Sequence, residues 1–333
     1  MHNSSKHNEL RRTVITGLTK GWDGYIWMLK IIVPISLFTS ILQWSGLLEK
    51  AHGVIEPAMN ILNLPAAAAL PLIIGAFAGI YGGVAAMAVL PLTIDEMTLI
   101  AIFLLIAHNL IQEGAIQGKS GLHPIKATAF RLVIAILTVL IVGHFLQKPQ
   151  HAEQVLVATP IRHESFVAML REWGFITLGL VIKIFFIIMF ILTLLEIMKS
   201  RGWITVIIRW MSPLLRAMGL SQRVGILWMT AVVFGLTYGG AVIVEETRHE
   251  ELTRNELEEL HLSIGINHSM IEDPSLFLPL GLSPLWLWVP RLLVAVIAVR
   301  LLTAWFIIRD RFFAGKVLTN PSSIISREKE NEQ

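Results

Sequence analysis

LTIDEMTLIAIFLLIAHNLIQEGAIQGKSGLHPIKATAFRL, residues 92–132, aligns with LTRNELEELHLSIGINHSMIEDPSLFLPLGLSPLWLWVPRL, residues 252–292, at a shift of 160 residues without a gap. Of the 41 pairs, 11 are identical. Leu on Leu is the ordinary similarity of oily helices. His108 on His268, Gly121 on Gly281, Pro124 on Pro284 and Arg131 on Arg291 are not. Gln112 and Glu113 fall on Glu272 and Asp273, and, at slightly different offsets, Tyr81-Gly82-Gly83 falls on Tyr238-Gly239-Gly240 and Pro57 on Pro213. Repetition of this kind reads as duplication of one structural unit.

Outward from the repeat the chain is strongly apolar. It has 333 residues, 54% of them hydrophobic and 15% charged, and a mean hydropathy of +0.66. Soluble domains do not have this balance. Several runs exceed the ~18 apolar residues that cross a bilayer. No ~10-residue alternating segments of the kind that build membrane β-barrels occur. The expected fold is all-α: a polytopic membrane helical bundle of two inverted-topology repeats with partly re-entrant or broken helices. Cysteine is absent, which excludes thiolate metal sites, disulfides and cysteine catalysis. The polar, basic start lacks the short apolar core and small-residue cleavage site of a signal peptide.

Four hydrophobic elements, a linker and four more can be read along the chain. The expected divisions are a polar basic segment over 1–22, repeat 1 over 23–147, a linker over 148–172, repeat 2 over 173–308 and a polar tail over 309–333. Within repeat 1 the spans expected are 24–47, 66–91 and 124–146, with an interfacial piece at 51–63. Within repeat 2 they are 173–198, 222–244 and 284–308, with a basic amphipathic piece at 203–219. The segments 94–116 and 254–273 are less oily. Lys and Arg gather on the cytoplasmic side of membrane proteins. If 94–116 and 254–273 enter part-way and return, the basic N-terminus, the basic piece 199–223 and the C-terminus all fall inside, and the acidic run 245–260 falls outside. The halves then point in opposite directions, as in the inverted repeats of many transporters.

The two polar clusters are IAHNLIQEG (106–114) and INHSMIEDP (266–274). On a continuous helix His108 and Gln112 share a face, as do His268 and Glu272. Glu113 and Asp273 follow, and then Gly114 and Pro274 can end the helices. Each cluster is thus expected at a helix C-terminus, where the dipole favours cations. Imidazole with carboxylate and amide oxygens suits a borderline divalent cation such as Fe(II), Mn(II) or Zn(II), and histidine can also carry protons. Ionisable groups at membrane depth are costly and point to function. The substrate- or ion-binding candidates are therefore His108, Asn109, Gln112, Glu113, His268, Ser269, Glu272 and Asp273. His108, Glu113, His268, Glu272 and Asp273 are the candidate metal ligands. A polar network that only staples the repeats uses the same residues.

Tyr81, Gly82, Gly83, Tyr238, Gly239 and Gly240 are candidates for close helix packing or for lining a pore. GAIQGKS (114–120) matches the phosphate-binding loop pattern literally, but no strand precedes it. No nucleophile–base pair is recognisable, so an enzyme is not expected.

Tandem Gly-rich crossings, each followed by a polar half-helix and a G-x-x-P turn, resemble the nucleoside recognition, or Gate, family. The turns are GKSGLHP (118–124) and GLSP (281–284). That domain is shared by concentrative nucleoside transporters, bacterial ferrous-iron permeases and spore maturation proteins. The resemblance implies a pore-and-gate architecture in two Gate-like units. The chain lacks the GTP-binding domain and the cysteine motif of the iron permeases. The expected activity is a membrane transporter or channel with a central site for a divalent metal cation. A nucleoside or similar polar solute moved with a coupling cation is the alternative. A non-transporting assembly protein of spore-maturation type is another. No cofactor is expected beyond a bound divalent cation. The expected partners are the lipid bilayer, a small solute or ion, and further copies of the chain, with no nucleic acid. The expected location is the inner membrane of the cell, with both termini cytoplasmic.

Overall fold

The computed structural model describes residues 2–146, 165–249 and 252–317. The described residues are helical with no strands. Helix α1 (His2–Trp44) is followed by α2 (Leu47–Ile61), α3 (Ala69–Ala78), α4 (Ile80–Val89), α5 (Ile94–Ala107), α6 (Leu110–Lys119) and α7 (Pro124–Leu146). The second half repeats the order as α8 (Phe166–Ser200), α9 (Trp203–Met218), α10 (Gln222–His249), α11 (Arg254–Asn267), α12 (Glu272–Ser275) and α13 (Pro284–Val317). By length and hydropathy, residues 9–44, 94–119, 124–146, 166–200 and 284–309 can each cross a bilayer. The chain is therefore a polytopic helical membrane bundle. Residue 147 at the end of repeat 1, residues 148–164 of the expected linker and 318–333 of the expected tail lie outside the described residues.

The first helices of the two repeats, α1 and α8, lie antiparallel along their length. Gly17 packs on Thr193 and Gly21 on Met189 near one end. The Trp173 indole N–H donates to Ser36 Oγ further on, and Trp44 meets Phe166 edge-on at 5.3 Å at the other end. A side chain built on Gly17 would lie 2.7 Å from the Thr193 Cα, so the backbones touch there, as small residues permit in membranes. Helix α1 begins well before the expected residue 24, so the described part of the polar segment, residues 2–22, continues the span without a break. After it, α2 meets the helical stretch 66–78 at 85° and has no buried residue. That placement suits an amphipathic piece lying along the interface.

Residues 66–91, expected to cross, instead reverse. A side chain on Gly83 would lie 3.4 Å from the Gly75 Cα, whereas residues eight apart in a straight helix are separated by about 12 Å. The reversal is at Gly79, with φ 94° and ψ 169°, a conformation that only glycine adopts readily. Helices α3 and α4 thus form a hairpin. The second repeat does the same within α10, where Gly235 has φ 81° and ψ 169°. There a side chain on Gly239 would lie 2.5 Å from the Ala231 Cα.

The segments 94–116 and 254–273, expected to return part-way, instead run the full length of the bundle. Helix α7 retraces α5–α6: Gly118 packs on Pro124 and Gly143 on Leu99, and Arg131 bonds to the carbonyls of Ile106 and His108. Helix α13 retraces α11 in the same way, from Arg291 against Ile266 and His268 to Thr303 against Glu259. Both α5 and α11 open with a capping box, Thr93/Glu96 and Thr253/Glu256. Gly121 at the end of the first broken helix lies against Leu257 at the start of the second, and Gly281 lies against Ile94. The broken helices therefore run antiparallel, related by a pseudo-two-fold axis, and the repeats are inverted about it. Exposed stripes agree: Val133, Leu137 and Ile141 on α7 recur as Leu293, Ile297 and Leu301 on α13, each pair 160 residues apart.

Exchanging the re-entrant and crossing elements changes one assignment of sides. Ser221 at the end of the basic α9 donates to Glu256, and Lys126 pairs with Glu258. The acidic run 245–260 was expected opposite the basic piece 199–223. Its described part starting at Leu252 lies on the same face, because the α10 hairpin returns the chain to the side it left. Lys20 bonds Glu196 at 2.6 Å and Arg309 meets Asn255, so both ends of the described chain are on that face too.

Candidate functional site

The site forms where α5 and α11 break. His108 caps α5 in an extended conformation (φ −92°, ψ 164°) and Asn109 is left-handed (φ 51°) before α6 begins. His268 caps α11 likewise (φ −66°, ψ 158°), and Ser269 is left-handed (φ 51°). Non-glycine residues in that region are uncommon and cluster at functional positions. Its recurrence at equivalent residues of both repeats makes the break a built feature. The i,i+4 face expected for His108/Gln112 and His268/Glu272 does not exist, because the helix is interrupted inside each pair. Each histidine sits at a helix C-terminus, as expected. The acids are instead in the first turns of α6 and α12, where the helix dipole favours negative charge. Gly114 and Pro274, expected to stop helices, lie within α6 and α12. Gly114 packs against Thr128 and Pro124 instead.

The hairpin tips brace the breaks. The Asn109 N–H donates to Gly75 O at 3.1 Å, and the N–H groups of Ser269 and Met270 donate to Ala231 O and Val232 O. Gly79 and Gly235 face the side chains of Asn109 and Ser269. The glycines of the repeated Tyr-Gly-Gly motif make the fit close. Side chains on Gly83 and Gly240 would each stand 2.4 Å from atoms of Leu104 and Ile116 respectively. Tyr81 points to the site, and its hydroxyl donates to Glu272 Oε1 at 2.6 Å. The side chain of Tyr238 lies outside the described residues.

At the centre the imidazoles are 5.1 Å apart between ring centroids. His108 and His268 are 5% and 2% exposed, and Glu113 and Asp273 are 5% and 6% exposed. The Nδ1 of His108 lies 2.7 Å from Leu104 O, and that of His268 lies 2.9 Å from Ile264 O. A carbonyl only accepts, so each Nδ1 carries a proton and each Nε2 is turned to the acids. His108 Nε2 is 3.1 Å from Glu113 Oε1 and 3.6 Å from Asp273 Oδ2. His268 Nε2 is 3.3 Å and 3.9 Å from the same two atoms. The other carboxylate oxygens are held elsewhere: Glu113 Oε2 by Arg131 at 2.6 Å, and Asp273 Oδ1 by the Ser269 hydroxyl at 2.9 Å.

Of the residues singled out from sequence, His108, Glu113, His268 and Asp273 converge, with Ser269 supporting them. Glu272 pairs with the hairpin instead. Gln112 is exposed and accepts from Asn109, so it is not part of the centre. The expected set omitted Arg131 and Arg291, both fully buried. Each guanidinium bonds to the carbonyls of residues 25 and 23 positions earlier, which close the end of the preceding half-helix. Their identity in register was the available signal.

The arrangement defines an all-helical membrane protein of two inverted repeats that close on one buried imidazole–carboxylate centre. Residues 25–145 are similar to the Gate family, described as nucleoside recognition, and the second repeat follows that stretch by internal duplication. Over 297 residues the chain is 25% identical to a Bacillus subtilis (strain 168) protein described as the uncharacterized membrane protein YvoD. That alignment covers 88% of this chain and 94% of the relative. No solved structure matches it.

Proposed function

We propose that the chain is a secondary membrane transporter, not an enzyme, whose central site binds a divalent transition-metal cation as cargo. One observation carries the reading: two Nδ1-protonated imidazoles turn Nε2 toward the same two carboxylate oxygens. Lone pairs facing lone pairs repel, so a buried cluster of this kind needs a cation at its centre, either a metal ion or a second proton on the rings. Bonds of about 2.0–2.2 Å in a tetrahedral metal site place neighbouring donors about 3.3–3.6 Å apart. The nitrogen–oxygen separations of 3.1, 3.3, 3.6 and 3.9 Å span that edge. His108, His268 and Asp273 offer atoms mutually within 4.8 Å, and Glu113 Oε1 supplies a fourth donor. The supporting bonds, Nδ1–H to carbonyl and carboxylate to Arg or Ser, are those that orient metal ligands elsewhere.

The face bearing Lys20, Lys126, Lys199, Arg209 and Arg216 is the cytoplasmic one in this reading, by the positive-inside rule, and the membrane is the inner one. Alternating access moves one hairpin and broken helix relative to the rest.

Melting of the purified protein in detergent tests the cargo. Mn(II), Fe(II) or Zn(II) at a hundredfold excess over Kd stabilises by about 2.7 kcal/mol, and a His108→Ala/His268→Ala double variant loses that response while remaining folded. Stabilisation by a nucleoside in place of any metal overturns the metal reading in favour of the nucleoside one. A loss of stability in the double variant, with no ligand response in the parent, leaves the cluster a structural staple.

A further inference from the structure

The two broken helices match in backbone but not in what surrounds them. On α11, Glu258, His261, Gly265 and His268 follow one another at helical spacing and form one stripe. The stripe faces α6 and α7. Glu258 pairs with Lys126 at the face of the bundle. Next inward, His261 Nε2 donates to Ser120 O at 2.9 Å, and Gln117 Nε2 donates to His261 O at 2.7 Å. Gly265 then meets the Arg131 side chain and Gln117, and His268 reaches Glu113. A polar seam thus runs from the basic face to the central site.

The equivalent positions 160 residues away carry none of this. Glu258, His261 and Gly265 correspond to Thr98, Ala101 and Leu105, while Gln117, Ser120 and Lys126 correspond to Phe277, Leu280 and Trp286. Ala101, Leu105 and Phe277 are fully buried in the apolar core. The path from the site toward the other face is therefore greasy, in a molecule otherwise built on pseudo-two-fold symmetry.

The polar seam is also unsatisfied by protein. His261 is 0% and Gln117 1% exposed, yet His261 Nδ1 and Gln117 Oε1 have no hydrogen-bond partner among the described residues. Asn267, the residue before His268, is likewise 0% exposed with neither side-chain polar atom bonded. A buried polar atom without a partner costs roughly 1–3 kcal/mol, and native proteins pair such atoms with water when no protein group serves. Because His261 already donates through Nε2, its bare Nδ1 can only accept.

We propose that the α6–α11 seam is the path by which water reaches the central site, from the basic face alone; in the conformation described it is closed at Gln117 and His261, whose unpartnered atoms have no room for solvent beside them, and it opens when α6 and α11 part. When open it takes water and small hydrated cations, and it gives the site access from that one side. The path deepens the reading of the centre as a binding site and rests on it only for what travels through.

Radiolytic hydroxyl-radical labelling of the unmodified protein in vesicles decides the question, since the radicals form from water beside the residue. His261 is expected to oxidise at least about tenfold faster than Phe277, because bulk-like water is excluded from an apolar contact. Oxidation of His261 no faster than Phe277 overturns the proposal. The chain has no cysteine, so single Gln117→Cys, Ser120→Cys and Phe277→Cys variants report the side with a small cationic thiol reagent that does not cross the membrane. Modification of the first two from the basic face only is expected. Modification of Phe277→Cys from the opposite face at a similar rate overturns the one-sidedness. Labelling of the seam that zinc does not slow supports the path and counts against the metal reading alone; labelling slowed by zinc supports both.

Discussion

The Glu113–Arg131 contact links recognition to folding. Arg131 uses Nε and Nη2 to close the carbonyl end of α5 and Nη1 to hold Glu113, so one guanidinium serves both the broken helix and the centre. Removing one member of a buried ion pair leaves the other uncompensated, typically at a cost of about 3–5 kcal/mol. Glu113→Gln should therefore lower unfolding stability in detergent by that order. Asp273→Asn should cost less, because its Oδ1 bond to the Ser269 hydroxyl can be kept by an amide oxygen. Equal losses in denaturant titrations of the two variants would show that the Arg131 pair is not what distinguishes them. Arg131→Lys should behave nearly as badly as Glu113→Gln: a lysine reaches one acceptor where the planar fork reaches three.

At the scale of elements, the glycines at the hairpin tips hold the site in place. A side chain at Gly79 or Gly235 would have to occupy backbone regions at φ 94° and 81° with ψ 169°. Gly79→Ala and Gly235→Ala should each destabilise by about 1–3 kcal/mol, while Gly174→Ala on α8, which has open space around it, should be close to neutral or stabilising. Thermal melts of the three variants check this, and a neutral Gly79→Ala would refute the hairpin. This element was also the hardest to read from sequence. An apolar run over 66–91 has the length of a crossing whether it goes straight or doubles back, and hydropathy does not record a reversal. Charge counting was equally blind, since swapping which of two neighbouring elements crosses leaves the basic segments where they were and moves only acidic residues: the acidic run, and Asp95 and Glu96 in the first turn of α5. The spacing of small residues was the available signal: Gly75 with Gly83, and Ala231 with Gly239, each lie eight apart around a glycine. By contrast, the histidines and acids were legible because identity in register outlives the drift of oily residues. The break between them was not, because Asn109 and Ser269 are not residues whose sequence alone demands a left-handed turn.

For the whole molecule, the duplication dictates which loops share a side. Single cysteines at His123 and Asn255 should be modified from one side of oriented vesicles and a cysteine at Ser283 from the other, since Gly121 neighbours Leu257 while Gly281 neighbours Ile94. Modification of all three from the same side would contradict the inverted layout.

The main-chain bonds at the tips carry a further implication for motion. Asn109 is tied to Gly75, and Ser269 and Met270 to Ala231 and Val232, backbone to backbone. Such ties do not relax by rotamer changes; they hold or they break. Any large excursion that preserves them carries residues 69–119, or residues 224–249 with 252–280, as a single block with its own imidazole and carboxylate aboard. The four central donors divide evenly between the two blocks. Sliding one past the other would separate the pairs, so the same shift that opens a route would also loosen the grip.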